Sequence, residues 1–369
     1  MKSMLRPLTI LLVLLCSYLN VRAQIEKRMD SIAQLHVAQG FNGNVLYSKG
    51  GNILFTGNYG YSNFVKRDLL NDSTRFELAS NTKQITAVAI IQLVEQGLIH
   101  YNQDIQEILP NFPYKGILVN HLLRHQSGLE DSQKLLTNKK IWNRKRKANS
   151  SDILEVLIEH KPALLFQPGT EYKYSNTGYN ILAIIIERVS GMSYSQYLHE
   201  NIFEPANMKT AMVVSLQIEP NGYKNSALGY TIHHKKATVQ RANKDKNHNH
   251  LNWMRTINGG AGVYASMLDV YQWYQALQSN ALISEESKNL MFSPDTISPK
   301  YGLGVAVYSN TAKGKWIYHT GSWGGAKTMV LYLPDTEELI VILSNNRYEN
   351  TYKTFDEDLY KLLLAENKQ

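Results

Sequence analysis

Phe76-Glu77-Leu78-Ala79-Ser80-Asn81-Thr82-Lys83-Gln84-Ile85-Thr86-Ala87-Val88-Ala89 is the stretch on which the reading of this chain turns. A polar turn gives way there to small and apolar residues, the pattern of a buried helix opened by Ser80. A serine at that position holds its hydroxyl near unpaired backbone N–H groups and the positive end of the helix dipole. Lys83 follows three residues later on the same helical face, with its amine in reach of that hydroxyl. Burial among apolar neighbours lowers a lysine's pKa until its amine can accept a proton. A hydroxyl beside its own base is what acyl transfer requires. Taken alone, Ser-x-x-Lys is a weak signal, because a serine that merely caps a helix looks the same.

Two triplets downstream strengthen it. Tyr174-Ser175-Asn176 lies in a turn-rich segment that begins at Pro168-Gly169, and His319-Thr320-Gly321 lies on a strand-like run leading into the turn Ser322-Trp323-Gly324-Gly325. Ser-x-x-Lys, a second polar triplet and Lys-Thr-Gly, in that order, are the signature of serine β-lactamases and penicillin-binding proteins, and the chain resembles that family. Its Tyr-x-Asn triplet is similar to that of class C β-lactamases and D-alanyl-D-alanine peptidases of the same branch. Phe41-Asn42-Gly43-Asn44-Val45-Leu46, the segment from Asn120 to Leu129, and Tyr301-Gly302-Leu303-Gly304 also resemble recurrent parts of the family.

The resemblance implies roles for particular residues. Ser80 is expected to attack an acyl carbon and form an acyl-enzyme. Lys83 is one candidate for the first base. Tyr174 is the other, since a phenol beside an ammonium can be stabilised as phenolate. Asn176 is implied to bond Lys83 and the substrate's acylamide. The oxyanion hole would be the backbone N–H groups of Ser80 and Ser322; fixed amides of this kind contribute roughly 3–4 kcal/mol each. Thr320 and Gly321 belong to the implied substrate-binding edge, with Gly321 expected to let the strand approach substrate unobstructed. His319 stands where the family places lysine. A histidine, with an ordinary pKa of about 6.5, is largely neutral at pH 7, which weakens recognition of a substrate carboxylate. A proton-transfer role for His319 stays open beside one in packing.

The function expected is therefore an exported serine hydrolase that cleaves an ester or amide, a peptidase, D-aminopeptidase or esterase rather than a dedicated β-lactamase. The alternative is a penicillin-recognising binding or sensor protein that is acylated and turns over poorly. An α/β-hydrolase is excluded, since Ser80 is flanked by Ala79 and Asn81 rather than by a Gly-x-Ser-x-Gly elbow. No cofactor is expected, and neither a nucleotide-binding glycine loop nor a zinc motif is present. His233, His234, His248 and His250 fit no familiar ligand spacing, so no metal site is assigned. The partner expected is a small-molecule or peptide substrate. The basic run Asn143-Arg144-Lys145-Arg146-Lys147 is read as a solvated loop, not a nucleic-acid patch.

Lys2 and Arg6 precede the apolar run Leu8 to Leu15, and Val21-Arg22-Ala23 offers small residues for cleavage before Gln24. Residues 1–23 are thus expected to be a secretory signal peptide directing the chain to the periplasm or outside the cell. Leu15 before Cys16 argues against lipidation, and cleavage would leave no cysteine and no membrane span. The net charge of +8 would fall to about +5 on cleavage. At 43% apolar and 19% charged residues, the full chain has the composition of a globular protein with a substantial core.

Periodicity places an amphipathic helix over residues 25–38, with Ile25, Met29, Ile32 and Leu35 on one face. Strands follow at Asn44 to Tyr47 and Asn52 to Thr56, joined by Gly50-Gly51. Helices are clearest at Ser151 to His160, capped by Ser150 or Ser151, and at Tyr179 to Val189. Late strands fall at Val305 to Tyr308, Trp316 to His319, Thr328 to Tyr332 and Leu339 to Leu343, before a helix from Tyr352 to Leu364. Residues 231–250 read as an exposed loop or hairpin. The fold class is α/β (α+β): one antiparallel sheet flanked by N- and C-terminal helices, with an inserted, mainly helical lobe, as in the β-lactamase and transpeptidase fold. Residues 24–97 and 255–369 would form the α/β lobe and 98–254 the helical one.

Overall fold

The structure, a computed structural model, describes residues 22–214, 223–233, 238–246, 250–254, 256–311 and 313–347, together with 355, 357–359 and 361. The expected leader lies outside this set but for its last two residues, as do His234 and His248.

A six-stranded antiparallel sheet joins the two ends of the chain. Its strands are β1 (Gly43–Lys49), β2 (Asn52–Tyr59), β3 (Ala306–Thr311), β4 (Gly314–Trp323), β5 (Ala326–Leu333) and β6 (Glu338–Ser344), in spatial order β3-β4-β5-β6-β1-β2. The central pairing of β1 with β6 runs from Gly43 opposite Ser344 to Lys49 opposite Glu338. Side chains alternate across a strand. Val45, Tyr47, Ile340 and Ile342 pack toward the N-terminal helix α1 (residues 22–38) with Phe355 and Leu359. Leu46, Val341 and Leu343 belong to the larger core on the other face. Both faces being covered, β6 reads as an unbroken apolar run. On α1 the buried stripe is Ile25, Met29, Ala33 and His36, whereas Leu35 is 62% exposed, one position off the expected face.

The helix α2 (Thr82–Glu95) lies in the larger core, and every residue from Thr82 to Ile91 is buried. A helix buried all round has no polar face, which is why its sequence lacks amphipathic periodicity. Gln84 on α2 accepts hydrogen bonds from Trp273 Nε1 (3.0 Å) and the Tyr274 hydroxyl (2.9 Å) of a second core helix, Met267–Gln278. The helix expected from Ser151 is Ser150–His160, and its cap is Asn149 rather than either serine. Asn149 accepts from Asp152 N–H, and the Asp152 carboxylate accepts from Asn149 N–H at 2.8 Å, a reciprocal capping box.

A three-stranded sheet that the sequence did not announce ties distant segments together. Phe76–Glu77 and Met212–Val213 both pair with Val263–Ala265. Strands of two or three residues are too short to show alternation. This small sheet matters because it holds the turn carrying Ser80 against the loop that ends at Val263.

Candidate active site

Ser80 sits in a single 3₁₀ turn, Ala79–Asn81, that enters α2. Ala79 is held at φ +50°, a left-handed conformation that costs a non-glycine residue on the order of 1 kcal/mol. Several bonds oppose that strain. Leu78 N–H donates to Val263 O (2.9 Å), and the buried Glu77 carboxylate accepts from Ala79 N–H (3.3 Å) and Gly262 N–H (3.0 Å). Asn81 Nδ2 donates to Thr328 Oγ1, which donates to Leu78 O, both at 2.9 Å, so β5 grips the turn from the other side.

One helical turn onward, the Lys83 side chain is fully buried. Its Nζ lies 2.7 Å from Gly260 O, 2.8 Å from Asn176 Oδ1 and 3.3 Å from Ser80 Oγ. The Nζ also stands 4.9 Å from the ring centre of Tyr174. Burial lowers the Lys83 pKa to about 7, against a smaller upward pull from Asp131. The orientation of Asn176 follows from its neighbours. Asp131 Oδ2 accepts from Asn176 N–H (2.8 Å) and Nδ2 (3.0 Å), which leaves Oδ1 to face Lys83.

Tyr174 precedes the helix Asn176–Ser190 and keeps 36% of its surface open. Desolvation raises its pKa, and the nearby Ser80 hydroxyl draws it partly back. The environment therefore keeps Tyr174 a phenol at neutral pH. His125 supports it from behind. This residue is buried at φ +59°, its ring centre 4.2 Å from that of Tyr174, and its Nδ1 accepts from Ser175 N–H at 3.2 Å.

His319, Thr320, Gly321 and Ser322 follow one another along β4. His319 Nδ1 lies 2.7 Å from Thr320 O, which only accepts, so Nδ1 carries the proton. Its Nε2 then accepts from the Tyr301 hydroxyl at 3.2 Å. Burial, and after it the nearby Lys83 charge, lower the His319 pKa to about 4. His319 is thus a neutral imidazole in a fixed tautomer, with its ring centre 6.4 Å from that of Tyr174. Gly321 has a structural reason beside the one expected. A Cβ there would strike Thr328 Oγ1, Leu78 O and Ala79 Cβ, so the missing side chain admits the Ser80 turn itself.

Ser80, Asn176, Gly260 and Ser322 line one cavity of about 90 Å³. The structure thus gathers residues from four distant stretches around Ser80. Sequence reasoning missed Gly260, Asp131, His125 and Tyr301 as members. His125 falls in the Asn120 to Leu129 segment already noted for its resemblance, so a signal existed there. The basic run is less free than expected. The Arg144 guanidinium lies 5.1 Å from the Trp253 ring centre, and Arg146 lies 4.9 Å from that of Trp142 and pairs with Asp152.

Comparison with known proteins agrees with this architecture. The family model described as Beta-lactamase matches residues 21–365. A penicillin-binding protein of Bacillus subtilis (strain 168) is 32% identical over 340 residues, covering 90% of this chain and 74% of that protein. The crystal structure of a penicillin binding protein from Bacillus halodurans superposes with a TM-score of 0.75 at 24% identity, covering 91% of this chain and 98% of that one. That of D-amino acid amidase from Ochrobactrum anthropi SV3, complexed with D-phenylalanine, gives 0.74 at 21% identity, covering 93% and 99%. The chain belongs to the Beta-lactamase family of serine hydrolases. Among the described residues no helix is long and apolar enough to cross a membrane.

Proposed function

We propose that this protein is an exported serine hydrolase that opens an ester or amide through an acyl-Ser80 intermediate. The observation that carries the reading is the set of contacts around Lys83 Nζ. A neutral amine has two N–H donors and one lone pair. Gly260 O and Asn176 Oδ1 can only accept, so they take the two protons and leave the lone pair facing Ser80 Oγ. A pKa of about 7 makes that neutral form abundant at physiological pH. Lys83 is accordingly the first base, and Tyr174, kept as a phenol, is the relay.

In the proposed cycle Ser80 Oγ bonds to the acyl carbon while its proton moves to Lys83. The carbonyl oxygen gains charge and is met by the Ser80 and Ser322 backbone amides. As the bond to the leaving group breaks, Tyr174 passes its proton to that group and is reprotonated from Lys83. Water then repeats the sequence on the acyl-enzyme and frees Ser80. Thr320 lines the larger cleft and Asn176 the cavity that holds Ser80, so both are proposed to flank bound substrate.

Peptidase or esterase action fits better than dedicated β-lactam hydrolysis. A neutral His319, bonded to Tyr301 and to its own strand, provides no cation for a carboxylate. The apolar run at Leu8 to Leu15, after Lys2 and Arg6, supports export through a cleaved leader. Intact-mass spectrometry of the protein with benzylpenicillin or a short acyl ester, with Ser80→Ala alongside, tests the reading. A transient adduct that requires Ser80, accompanied by substrate loss, is expected. A persistent adduct would favour the penicillin-recognising alternative, and full turnover by folded Ser80→Ala would overturn the mechanism.

A further inference from the structure

A second cleft, of about 380 Å³, adjoins the site and is lined by five tyrosines, Tyr172, Tyr174, Tyr301, Tyr308 and Tyr318. His319 and Thr320 form part of its wall, and the exposed Lys300 contributes the one cation among its lining residues. Tyr172 is 42% exposed and Tyr308 39%, unusual for rings that gain by burial. The rings meet at steep angles. Tyr174 and Tyr301 lie at 88° with centres 6.3 Å apart, and Tyr308 and Tyr318 at 69° and 6.4 Å. Such walls offer both edges and faces to a further aromatic ring. A solvent-open aromatic concavity beside a reacting group is a binding surface.

The division of labour between the two cavities follows from Tyr174. Ser80 and Ser322 line the smaller cavity and Tyr174 the larger, and Lys83 Nζ reaches both, 3.3 Å from Ser80 Oγ and 4.9 Å from the Tyr174 ring centre. If Tyr174 hands its proton to the departing atom, the leaving group lies on the tyrosine side and the acyl part on the Ser322 side. We infer that the tyrosine cleft is the leaving-group subsite and takes an aromatic alcohol or amine that carries an anionic group. The ring packs among Tyr172, Tyr301 and Tyr308. Its anion meets the Lys300 amine, which lies 6.0 Å from the Tyr308 ring centre. The cation absent at position 319 is thereby supplied from another wall. This inference rests on the serine-hydrolase reading. The balance is simple: the ester's acyl–oxygen bond breaks, the acyl group passes to Ser80 Oγ, and the arylmethanol leaves with the proton that Tyr174 relays.

Acetate esters of methanol, benzyl alcohol and 4-(hydroxymethyl)benzoate test the assignment, since these alcohols have similar acidity and so similar intrinsic leaving ability. The benzyl ester should exceed the methyl ester in kcat/KM by about tenfold or more, the discrimination of an apolar pocket. The 4-carboxyl group should add about threefold, as expected of an exposed ion pair, and Lys300→Gln should abolish that increment. Tyr308→Ala should collapse the benzyl-to-methyl ratio, while Tyr308→Phe, which keeps the ring, should retain it. Equal ratios in wild type and Tyr308→Ala would overturn the subsite while leaving acyl-Ser80 chemistry intact. Saturation-transfer NMR with 4-(hydroxymethyl)benzoate gives an answer without turnover. A signal present in wild type and lost in Tyr308→Ala supports the cleft, and an equal or absent signal refutes it. Binding that depends on Tyr308, with none of the esters cleaved, would refute esterase action at Ser80 and leave the cleft standing.

Discussion

Lys83, on a helix, and His319, on a strand, both lie beside Tyr174, and burial pushes both pKa values down. The consequences differ. Lys83 moves from an ordinary 10.5 to about 7, into the range where a base is useful, whereas His319 moves from 6.5 to about 4, out of it. Their partners differ in the same sense. Lys83 has two acceptors and a serine, an arrangement that leaves one lone pair free for chemistry. Both nitrogens of His319 are engaged, one by Thr320 O and the other by the Tyr301 hydroxyl. The same desolvation thus makes one group reactive and holds the other silent, and hydrogen bonding reinforces each outcome.

The largest effect expected from breaking this comparison comes from Lys83→Met, which should lower kcat/KM by about 10³-fold or more. The same variant should change the pH dependence of stability. Between about pH 7 and 10.5 the unfolded lysine is protonated and the native one is not, so the native wild type gains stability as pH rises through that window. Lys83→Met should lack that slope; identical slopes in denaturant titrations at pH 7 and pH 9.5 would contradict the lowered pKa.

Asp131→Asn should cost less, about ten- to a hundredfold in kcat, because Asp131 acts by orienting Asn176 rather than by touching substrate. A separate signature distinguishes this positioning role from general damage. Asp131 pulls the Lys83 pKa upward, so its neutralisation should move the acid limb of the rate profile to lower pH. An unmoved limb would remove Asp131 from the account. His319→Lys should have the smallest effect. It should raise the use of carboxylate-bearing substrates over neutral esters by a few-fold, about the strength of a partly screened ion pair. An unchanged ratio in competition assays would show that position 319 does not set charge preference.

These expectations also show what sequence can and cannot convey. Ser80 with Lys83, Tyr174 with Asn176, and His319 through Ser322 were legible because each set is contiguous or one helical turn apart. The main sheet was legible from the apolar runs of β1 and of β3 to β6. Gly260 was not legible, since its part is a carbonyl brought to Lys83 from 177 residues away, and every residue has a carbonyl. Asp131 was equally silent, because its bond to Asn176 crosses 45 residues. Gly321 was noticed for substrate access alone. The crowding that demands glycine comes from Leu78 and Ala79, which no local pattern around residue 321 reveals. His319 was expected to be neutral from its intrinsic pKa alone; the burial and the bonds that fix its tautomer come from the fold.

The central claim is that a neutral Lys83 takes the Ser80 proton, and the pH profile of kcat/KM for a neutral ester tests it most directly. The profile reports the free enzyme's essential base. Activity should rise about tenfold per pH unit up to about pH 7 and then level off, as the Lys83 ammonium gives up its proton. His319→Gln should leave that limb in place. A limb near pH 4 that vanishes in His319→Gln, or a rise only above about pH 9, would contradict the account.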